Sequence, residues 1–261
     1  MSDMSTKNYL KVAVAAAKDS GKIFKQFFGK PNNIKMKNDN PRDLVTEIDT
    51  QIESKIRKRI FKHFPKHKII GEEFGSHKIN PNDLIWIIDP IDGTHNYIQG
   101  LPFCCISIAL WDKSGPLAAA LYNPVLNQLF TAERGKGAKL NNKPIKVSKK
   151  NQLIRAFGAV GWIDVEKGLK LFSTMAEHCK KLRVLASSAV QICLVGSGNL
   201  DFYIAKNIKI WDFAAGILVA KEAGGIITDL GGKKIGLDTK NVVASNPHLH
   251  KQLVSVLKTI R

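Results

Sequence analysis

The hydrophobic positions in the first 64 residues repeat with helical spacing in two segments. Over residues 10–28 apolar side chains recur at three- and four-residue intervals, and Gly29-Lys30-Pro31 ends the segment. Residues 44–64 carry an isoleucine at every fourth position and end at Pro65. A polar stretch rich in lysine and asparagine, residues 32–42, is typical of a mobile loop. This part of the chain therefore predicts two long helices joined by a loop.

Beyond Pro65, short apolar runs separated by turn residues predict strands, and from Asn151 strand and helix candidates alternate. The pattern predicts an N-terminal α+β sub-domain over residues 1–150, with two helices on a largely antiparallel sheet, and a C-terminal α/β sub-domain over residues 151–261. The predicted strands are 84–88, 104–111, 117–122, 128–132, 154–160, 183–185, 201–204, 226–228 and 241–244. The predicted C-terminal helices are 165–179, 188–196, 213–224 and 247–260.

The composition is that of a globular protein with an excess of positive charge. Of 261 residues, 44% are hydrophobic and 24% are charged, which excludes a disordered chain, a collagen and a coiled coil. The 40 basic and 22 acidic residues give a net charge of +18, which favours anionic partners such as phosphorylated metabolites, nucleic acid or acidic membranes. A solubility bias explains the charge equally well, and the basic residues are scattered, which weakens the nucleic-acid interpretation.

The cysteines and the apolar runs indicate in which cellular compartment the protein is found. Cys104, Cys105, Cys179 and Cys193 lack a CxxC spacing and are typical of buried free thiols in a reducing environment. There is no convincing signal peptide, and the longest strongly apolar stretch, residues 101–111, is too short to span a bilayer. We therefore predict a cytoplasmic protein that does not enter a membrane.

Two aspartates follow the predicted strand 84–88, in the sequence Asp89-Pro90-Ile91-Asp92-Gly93-Thr94. Pro90 disfavours a helical conformation at Asp89, and Gly93 permits a tight turn. The strand should deliver both carboxylates to one rigid edge, where a divalent cation such as Mg²⁺ or Mn²⁺ would relieve their repulsion. The alternative is an ordinary turn, in which Asp89 caps the turn and Asp92 opens a helix.

Three other acidic segments accompany this motif. Gly71-Glu72-Glu73 follows a short apolar pair, and an acidic pair at a strand edge is either solvated or linked to a metal ion. Asp212 stands at the start of a predicted helix, where aspartate is common in any case. The acids between Asp43 and Asp49 lie at the N-terminus of the predicted second helix, where the helix dipole favours them. Each segment alone has a structural explanation.

Taken together, the four segments resemble the inositol monophosphatase family. They stand in that family's order and approximate spacing, and the resemblance covers nearly the whole chain. It implies a bacterial-type member of the Mg²⁺-dependent, lithium-sensitive phosphatase superfamily. It also implies a layered α/β/α/β/α fold of the inositol monophosphatase and fructose-1,6-bisphosphatase type. The matching segments are Asp43-Leu44-Val45-Thr46, Gly71-Glu72-Glu73, Asp89-Pro90-Ile91-Asp92-Gly93-Thr94 and Trp211-Asp212-Phe213-Ala214-Ala215-Gly216.

The resemblance also implies roles for individual residues. It implies two or three Mg²⁺ ions, or Mn²⁺, per site, with Thr94, oriented by Asp49, helping to deprotonate the attacking water. Two ions ~3.5–4 Å apart can clamp the entering and leaving oxygens of an in-line displacement. Glu72 would serve both metal binding and catalysis. The implied metal ligands are Glu72, Asp89, the carbonyl of Ile91, Asp92 and Asp212. The implied substrate-binding residues are Gly93, Thr94, Asp92, Ser188 and Lys37.

The chain departs from the family pattern at the substrate end. The glutamate that contacts inositol in the family corresponds to Ala205, seven residues before Asp212. This is either drift, with Lys206 or Asp201 compensating, or a change of preference toward a more anionic monoester. The family has a lysine on the loop before the segment that begins at Asp43. Lys37 is its best match and Lys35 is the alternative, while an alignment without gaps places Asn38 there.

The sequence thus predicts a hydrolase acting on inositol monophosphate or a similar small sugar or polyol phosphate. Relatives that share these motifs hydrolyse fructose 1,6-bisphosphate, histidinol phosphate or 3′-phosphoadenosine phosphates, and the motifs do not separate these substrates. Some bacterial relatives act in transcription antitermination, so a role in binding RNA or the transcription machinery is the alternative of another class. Family members are commonly homodimers, which we expect here as well.

Overall fold

The computed structural model describes residues 3–37, 39–76, 78–162 and 165–260. The two predicted N-terminal helices are present as α1 (Asp3–Phe27) and α2 (Glu47–His63). The connection between them was wrongly predicted as a loop, because strands β1 (Lys35–Lys37) and β2 (Asn40–Val45) pair there as an antiparallel hairpin.

The predicted start of the second helix at residue 44 is also wrong. Leu44 and Val45 belong to β2, and Thr46 caps the helix. The Thr46 hydroxyl accepts a hydrogen bond from the Ile48 amide at 3.2 Å, and the Asp49 carboxylate accepts one from the Thr46 amide at 2.8 Å. Such a capping box satisfies amides that have no partner inside the helix, and so fixes where the helix begins.

The first half of the chain forms an eight-stranded sheet in the order β10-β9-β8-β7-β6-β5-β3-β4. All neighbouring strands are antiparallel except β3 and β5, so the expectation of a largely antiparallel sheet is confirmed. A short helix that the sequence did not predict, α3 (Thr94–Gln99), follows β5. The strands are β3 (Lys68–Gly71), β4 (Gly75–Ser76), β5 (Ile85–Asp92), β6 (Cys105–Asp112), β7 (Gly115–Asn123), β8 (Gln128–Glu133), β9 (Ala138–Leu140) and β10 (Lys143–Pro144).

The second half forms a five-stranded mixed sheet in the order β12-β11-β13-β15-β14, with four helices. Its strands are β11 (Phe157–Trp162), β12 (Lys181–Arg183), β13 (Phe202–Lys206), β14 (Ile226–Thr228) and β15 (Val242–Ser245). Its helices are α4 (Val165–His178), α5 (Ser188–Gly196), α6 (Gly216–Glu222) and α7 (Pro247–Leu257).

Several predicted bounds in this half differ from the structure. The run 154–160 begins with a 3₁₀ turn (Leu153–Arg155) before β11, and the strand predicted at 183–185 lies at Lys181–Arg183. The helix predicted over 213–224 is a 3₁₀ turn (Ile210–Asp212) followed by α6. That turn is closed because the Lys209 amide donates to the Asp212 carboxylate at 2.8 Å while the Asp212 amide donates to the Lys209 carbonyl at 3.1 Å.

The helices and sheets stack in five layers. One hydrophobic cluster joins α1 and α2 to one face of the large sheet, and a second joins the opposite face to α5, α6 and one face of the smaller sheet. A third joins the remaining face of the smaller sheet to α4 and α7. Because each helix pair buries its apolar side against a sheet, the predicted α/β/α/β/α sandwich is confirmed.

The central cluster contains residues of both predicted sub-domains, among them Ile87 and Ala244, so the boundary at residue 150 stays a prediction. The four cysteines are buried free thiols, as the sequence predicted. Among the described residues, no helix combines the length and apolarity needed to cross a membrane.

Candidate active site

A bulge at the end of β5 brings two aspartates to the same side of the large sheet. Asp89 pairs with Ser107 of β6 and Asp92 pairs with Cys105, so one residue of β5 is extra between them. Residues three apart on a regular strand face opposite sides, and a bulge corrects this by shifting the later residue to the other face. Ile91 then packs toward α1 and α2, while Asp92 faces the N-terminus of α5.

Asp92 is held by donors from the start of α5. The Ser187 hydroxyl and the Ala189 amide, at 3.0 Å, donate to Oδ2, and the Ser188 amide donates to Oδ1 at 3.2 Å. Burial raises the pKa of Asp92 to about 7, although these hydrogen bonds and one from the Val190 amide act in the opposite direction. The helix N-terminus therefore fixes a carboxylate that burial would otherwise make costly.

Glu72 and Asp212 bring two more carboxylates to Asp89 and Asp92. Burial, followed by the charges of Glu72, Asp92 and Asp212, raises the pKa of Asp89 well above its usual value. Burial and the charge of Asp92 do the same to the pKa of Asp212. These acids come from three separate parts of the chain and nonetheless influence one another strongly, so the structure brings together the four carboxylates that the sequence singled out.

Lys37 of the β1–β2 hairpin contacts this group directly. Its ammonium lies 2.7 Å from Oε1 of Glu72 and 2.7 Å from Oε1 of Glu73. Burial would lower the pKa of Lys37, but the two glutamates outweigh it and the pKa is raised. Burial raises the pKa of Glu73 to about 7. Lys37 is thus paired with two acids of the site, and its role as a substrate-binding residue stays a prediction; Asn38 lies outside the described residues.

Asp49 lies beside the same group, at the start of α2. Its side chain is fully buried, and Oδ2 accepts hydrogen bonds from the Thr46 amide at 2.8 Å and the Thr46 hydroxyl at 2.6 Å. Oδ1 has no hydrogen-bond partner within the described chain. Burial raises the pKa of Asp49 to about 6, and the charge of Glu72 adds to the effect. The Thr94 hydroxyl donates to the Ile91 carbonyl at 3.0 Å, so the orientation of Thr94 by Asp49 stays a prediction.

Gly93 connects β5 to α3 in a position that suits no other residue. Its φ angle is 87°, in the left-handed region, and it directly precedes Thr94, the first residue of α3. A Cβ atom there would lie 2.8 Å from the Phe103 carbonyl oxygen and 3.2 Å from that of Ala186. The chain therefore turns sharply at Gly93 and places the Thr94 side chain on the wall of the cavity.

Several residues of the site line one cavity of about 360 Å³. Glu72, Asp92 and Asp212 line it together with Gly93, Thr94, Ser188 and Lys37. Ala205, the position of the missing glutamate, is fully buried in the central core. Among the described residues that line the cavity, the lysines are Lys37 and Lys209, whereas Lys206, which the sequence suggested, is not among them.

Several residues of the site were missed in the sequence. The Ser187 hydroxyl donates to Asp92, whereas the resemblance implied a role for the neighbouring Ser188. The Ser188 hydroxyl lies 2.8 Å from that of Tyr203. Gln191 bonds to the Ser187 carbonyl at 2.9 Å and to the Leu185 amide at 3.2 Å, which holds the turn before α5. A polar residue inside the apolar helix 188–196 is the signal that could have revealed Gln191.

The donor set suits a hard divalent cation. It consists of carboxylate oxygens whose burial and mutual charge raise the pKa values of Asp89, Asp92 and Asp212, and Asp49 contributes an unpaired buried oxygen beside them. In the described part of the chain, no three histidine, cysteine or acidic side chains form a preformed metal cage. Lys37 holds Glu72 in this arrangement, so a cation that binds Glu72 must compete with the lysine.

The raised pKa values predict how pH and Mg²⁺ act on stability. Asp49, Asp92 and Glu73 have pKa values of about 6, 7 and 7 in the folded protein, above their ordinary values. The folded state therefore holds extra protons, and without a cation these groups lower stability as the pH rises toward 8. Because a cation replaces those protons, we expect Mg²⁺ to raise the melting temperature more at pH 8 than at pH 6. Thermal denaturation at both pH values, with and without Mg²⁺, measures this, and an equal shift would contradict it.

Three comparisons with known proteins point to one family. The model of the inositol monophosphatase family matches residues 5–261. Inositol monophosphatase 3 of Solanum lycopersicum is 37% identical over 97% of both chains, and the Nus factor SuhB of Pasteurella multocida is 32% identical over 95% of both. The solved structure of an IMPase from Thermotoga maritima is 34% identical, superposes with a TM-score of 0.90, and is matched over 97% of this chain and 98% of that one.

Proposed function

Because the chain belongs to the inositol monophosphatase family, we propose that it is a divalent-cation-dependent phosphatase that hydrolyses inositol monophosphate or a similar small sugar or polyol phosphate. The observation that carries the proposal is a group of four interacting carboxylates: Glu72, Asp92 and Asp212 line one cavity, and the buried Asp89 feels the charge of all three. Carboxylates gathered in this way are costly unless a cation binds them, and a phosphate monoester is a substrate that such a cation can activate.

The residues that would hold the cations are Glu72, Asp89, Asp92, Asp212 and the carbonyl of Ile91. When bound, Mg²⁺ or Mn²⁺ lowers the pKa of a coordinated water and offsets the charge of the phosphate. Asp92 is fixed in place for this role by the start of α5. Glu72 is fixed through its amide, which donates to the Ile88 carbonyl of β5 at 3.3 Å.

The phosphate is bound by the turn after β5. The amides of Gly93 and Thr94 would donate to its oxygens, and the glycine is required because the backbone must pass close to Phe103 and Ala186 there. We assign the role of proton acceptor to Asp49. Its Oδ1 has no protein partner, and with a pKa of about 6 it is mostly ionised at neutral pH. Thr94 lies on the cavity wall, and its hydroxyl would have to turn from the Ile91 carbonyl, to which it donates at 3.0 Å, in order to relay the proton from the attacking water.

The other end of the cavity favours an anionic substrate. No carboxylate stands at residue 205 to accept hydrogen bonds from sugar hydroxyls, and Lys209 is exposed on the cavity wall. The hydroxyls of Ser188 and Tyr203 remain as polar contacts at the wall. Hydroxyl contacts strongly affect discrimination between substrates. We therefore expect the enzyme to accept a monoester that carries a second anionic group.

A substrate panel at a fixed Mg²⁺ concentration tests the proposal. We expect phosphate release from inositol monophosphate or another small monoester, lost with a chelator and restored by added Mg²⁺. The panel should include fructose 1,6-bisphosphate, histidinol phosphate and 3′-phosphoadenosine 5′-phosphate. Turnover of the nucleotide alone would replace the inositol assignment, and Mg²⁺-independent turnover would contradict the role of the carboxylates.

A role in transcription is the second candidate. It is favoured by the 32% identity to a protein named Nus factor SuhB and by the net charge of +18. A salt-sensitive gel shift with RNA that persists after Asp92→Asn would support binding independent of hydrolysis. The set of buried acids has no use in RNA binding, so we rank this role below the phosphatase. Dimerisation and a cytoplasmic location stay predictions, which sedimentation and fractionation would test.

A further inference from the structure

The turn that carries Glu72 is tied to α2 by a buried glutamate. Glu53 is fully buried, Oε2 accepts a hydrogen bond from the Glu73 amide at 2.8 Å, and Oε1 accepts one from the Phe74 amide at 3.3 Å. A carboxylate that receives two consecutive backbone amides fixes the path of the chain at those residues. Glu53 thus acts on the segment immediately after Glu72.

Gly71 makes room for this carboxylate. A Cβ atom at Gly71 would lie 1.9 Å from Oε1 of Glu53, closer than any pair of non-bonded atoms can approach. The absence of a side chain at residue 71 therefore allows Glu53 to reach the turn. This gives the first residue of the Gly71-Glu72-Glu73 motif a structural reason that is independent of backbone conformation.

Arg57 completes the attachment from the next turn of α2. Its Nε lies 2.7 Å from Oε1 of Glu53, its Nη2 donates to the Gly75 carbonyl at 2.8 Å, and its guanidinium lies 5.6 Å from the centre of the Phe74 ring. Arg57 therefore balances the buried charge of Glu53 and holds the far side of the turn. Residues 73–75 are fixed by two side chains of one helix.

The same helix also presents Asp49. Asp49, Glu53 and Arg57 are spaced four residues apart, so they share one face of α2, beside the apolar stripe that packs on the sheet. On its other side, the Glu72 amide is held by the Ile88 carbonyl of β5. The backbone of Glu72 is thus fixed by β5 before it and by Glu53 after it.

We propose that Glu53 is a positioning residue, which with Arg57 holds the turn 71–75 so that the Glu72 carboxylate meets those of Asp89, Asp92 and Asp212. This inference rests on the proposed function, because Glu72 would be a cation ligand. It assigns to Glu53 no contact with substrate or cation. Groups that orient a metal ligand commonly change metal affinity or activity ~10–100-fold when they are replaced.

The test compares cation binding in Glu53→Gln and Arg57→Lys with that of the wild type. Binding of Mn²⁺, followed by the paramagnetic resonance signal of free Mn²⁺, is the first readout, and the Mg²⁺ concentration for half-maximal activity is the second. We expect both to show ~10–100-fold weaker binding in Glu53→Gln, with kcat approaching the wild-type value at saturating Mg²⁺ and KM little changed. Arg57→Lys should change them in the same direction by a smaller factor.

Arg59→Lys is the matched control, because it is the same substitution two positions along α2. Arg59 pairs with Asp19 of α1, away from the turn 71–75. It should leave Mn²⁺ binding unchanged. If Glu53→Gln fails to fold by circular dichroism, Arg57→Lys decides the question.

The outcomes separate this inference from the proposed function. Folded variants that lose melting temperature or kcat but bind Mn²⁺ as the wild type does would show a merely structural role, and would overturn the inference alone. A wild type that binds Mn²⁺ but hydrolyses no phosphate monoester would overturn the function alone. A wild type that binds no Mn²⁺ would overturn both.

Discussion

Asp92→Asn should reduce kcat/KM on the order of 10³-fold or more while the protein stays folded. Asparagine is nearly isosteric, and its carbonyl can still accept hydrogen bonds from Ser187 and Ala189. The substitution removes a negative charge that interacts with the neighbouring carboxylates. Without Mg²⁺ at pH 8 the variant should melt at the wild-type temperature or above, since the pKa of Asp92 is raised to about 7. With Mg²⁺ its stabilisation should be much smaller than that of the wild type.

Asp201→Asn is the control for the loss of a buried aspartate. Asp201 precedes β13 and accepts a hydrogen bond from the Phe157 amide at 2.7 Å, and it does not line the active-site cavity. That variant should lose some stability but keep its response to Mg²⁺. Thermal denaturation with and without Mg²⁺ measures the stability and its response to the cation, and phosphate release measures the activity. An Asp92→Asn protein with near-wild-type activity in Mg²⁺ would refute the assignment of Asp92 as a ligand.

Gly93→Ala should destabilise the protein by about 2–5 kcal/mol and abolish most activity. One part of the cost is the left-handed backbone, with φ at 87°. The larger part is contact with the carbonyl oxygens of Phe103 and Ala186, at 2.8 and 3.2 Å, because backbone atoms on two sides cannot both move away. Relief of this crowding would displace Thr94, so the phosphate-binding turn is expected to fail even in molecules that remain folded.

Two other glycines separate the contributions to this loss. Gly135 has a φ angle of 75° and no atom within 4 Å of a built Cβ, so Gly135→Ala isolates the cost of the backbone conformation. Gly236 has neither feature, and Gly236→Ala should be nearly neutral. Chemical denaturation gives the free energy of unfolding for all three variants. If Gly93→Ala lowers the free energy of unfolding no more than Gly135→Ala does, the close approach of the backbone at Gly93 does not contribute to the loss of stability.

Two helices packed on the first sheet were predictable from local patterns, whereas the order of all five layers came from the resemblance to the family. Isoleucines at every fourth position of α2 and the continuous apolar run of β5 specify which faces are buried, whatever surrounds them. The first residue of α2 was less predictable, because capping side chains determine where the helix begins. Thr46 and Asp49 close the capping box and so leave Leu44 and Val45 to a strand. The hairpin of β1 and β2 was missed because its polar composition resembles a loop.

The sequence by itself determined the chemistry of this protein: the number and type of acidic groups, the glycine and proline between them, and the family to which they belong. Only the tertiary structure decided how those groups are held. The bulge that turns Asp92 toward α5, the hydroxyl of Ser187 that meets it, and the buried Glu53 behind Glu72 join positions up to 95 residues apart. Such contacts depend on how two sheets and their helices pack, and no local pattern encodes which distant donor will meet a given carboxylate.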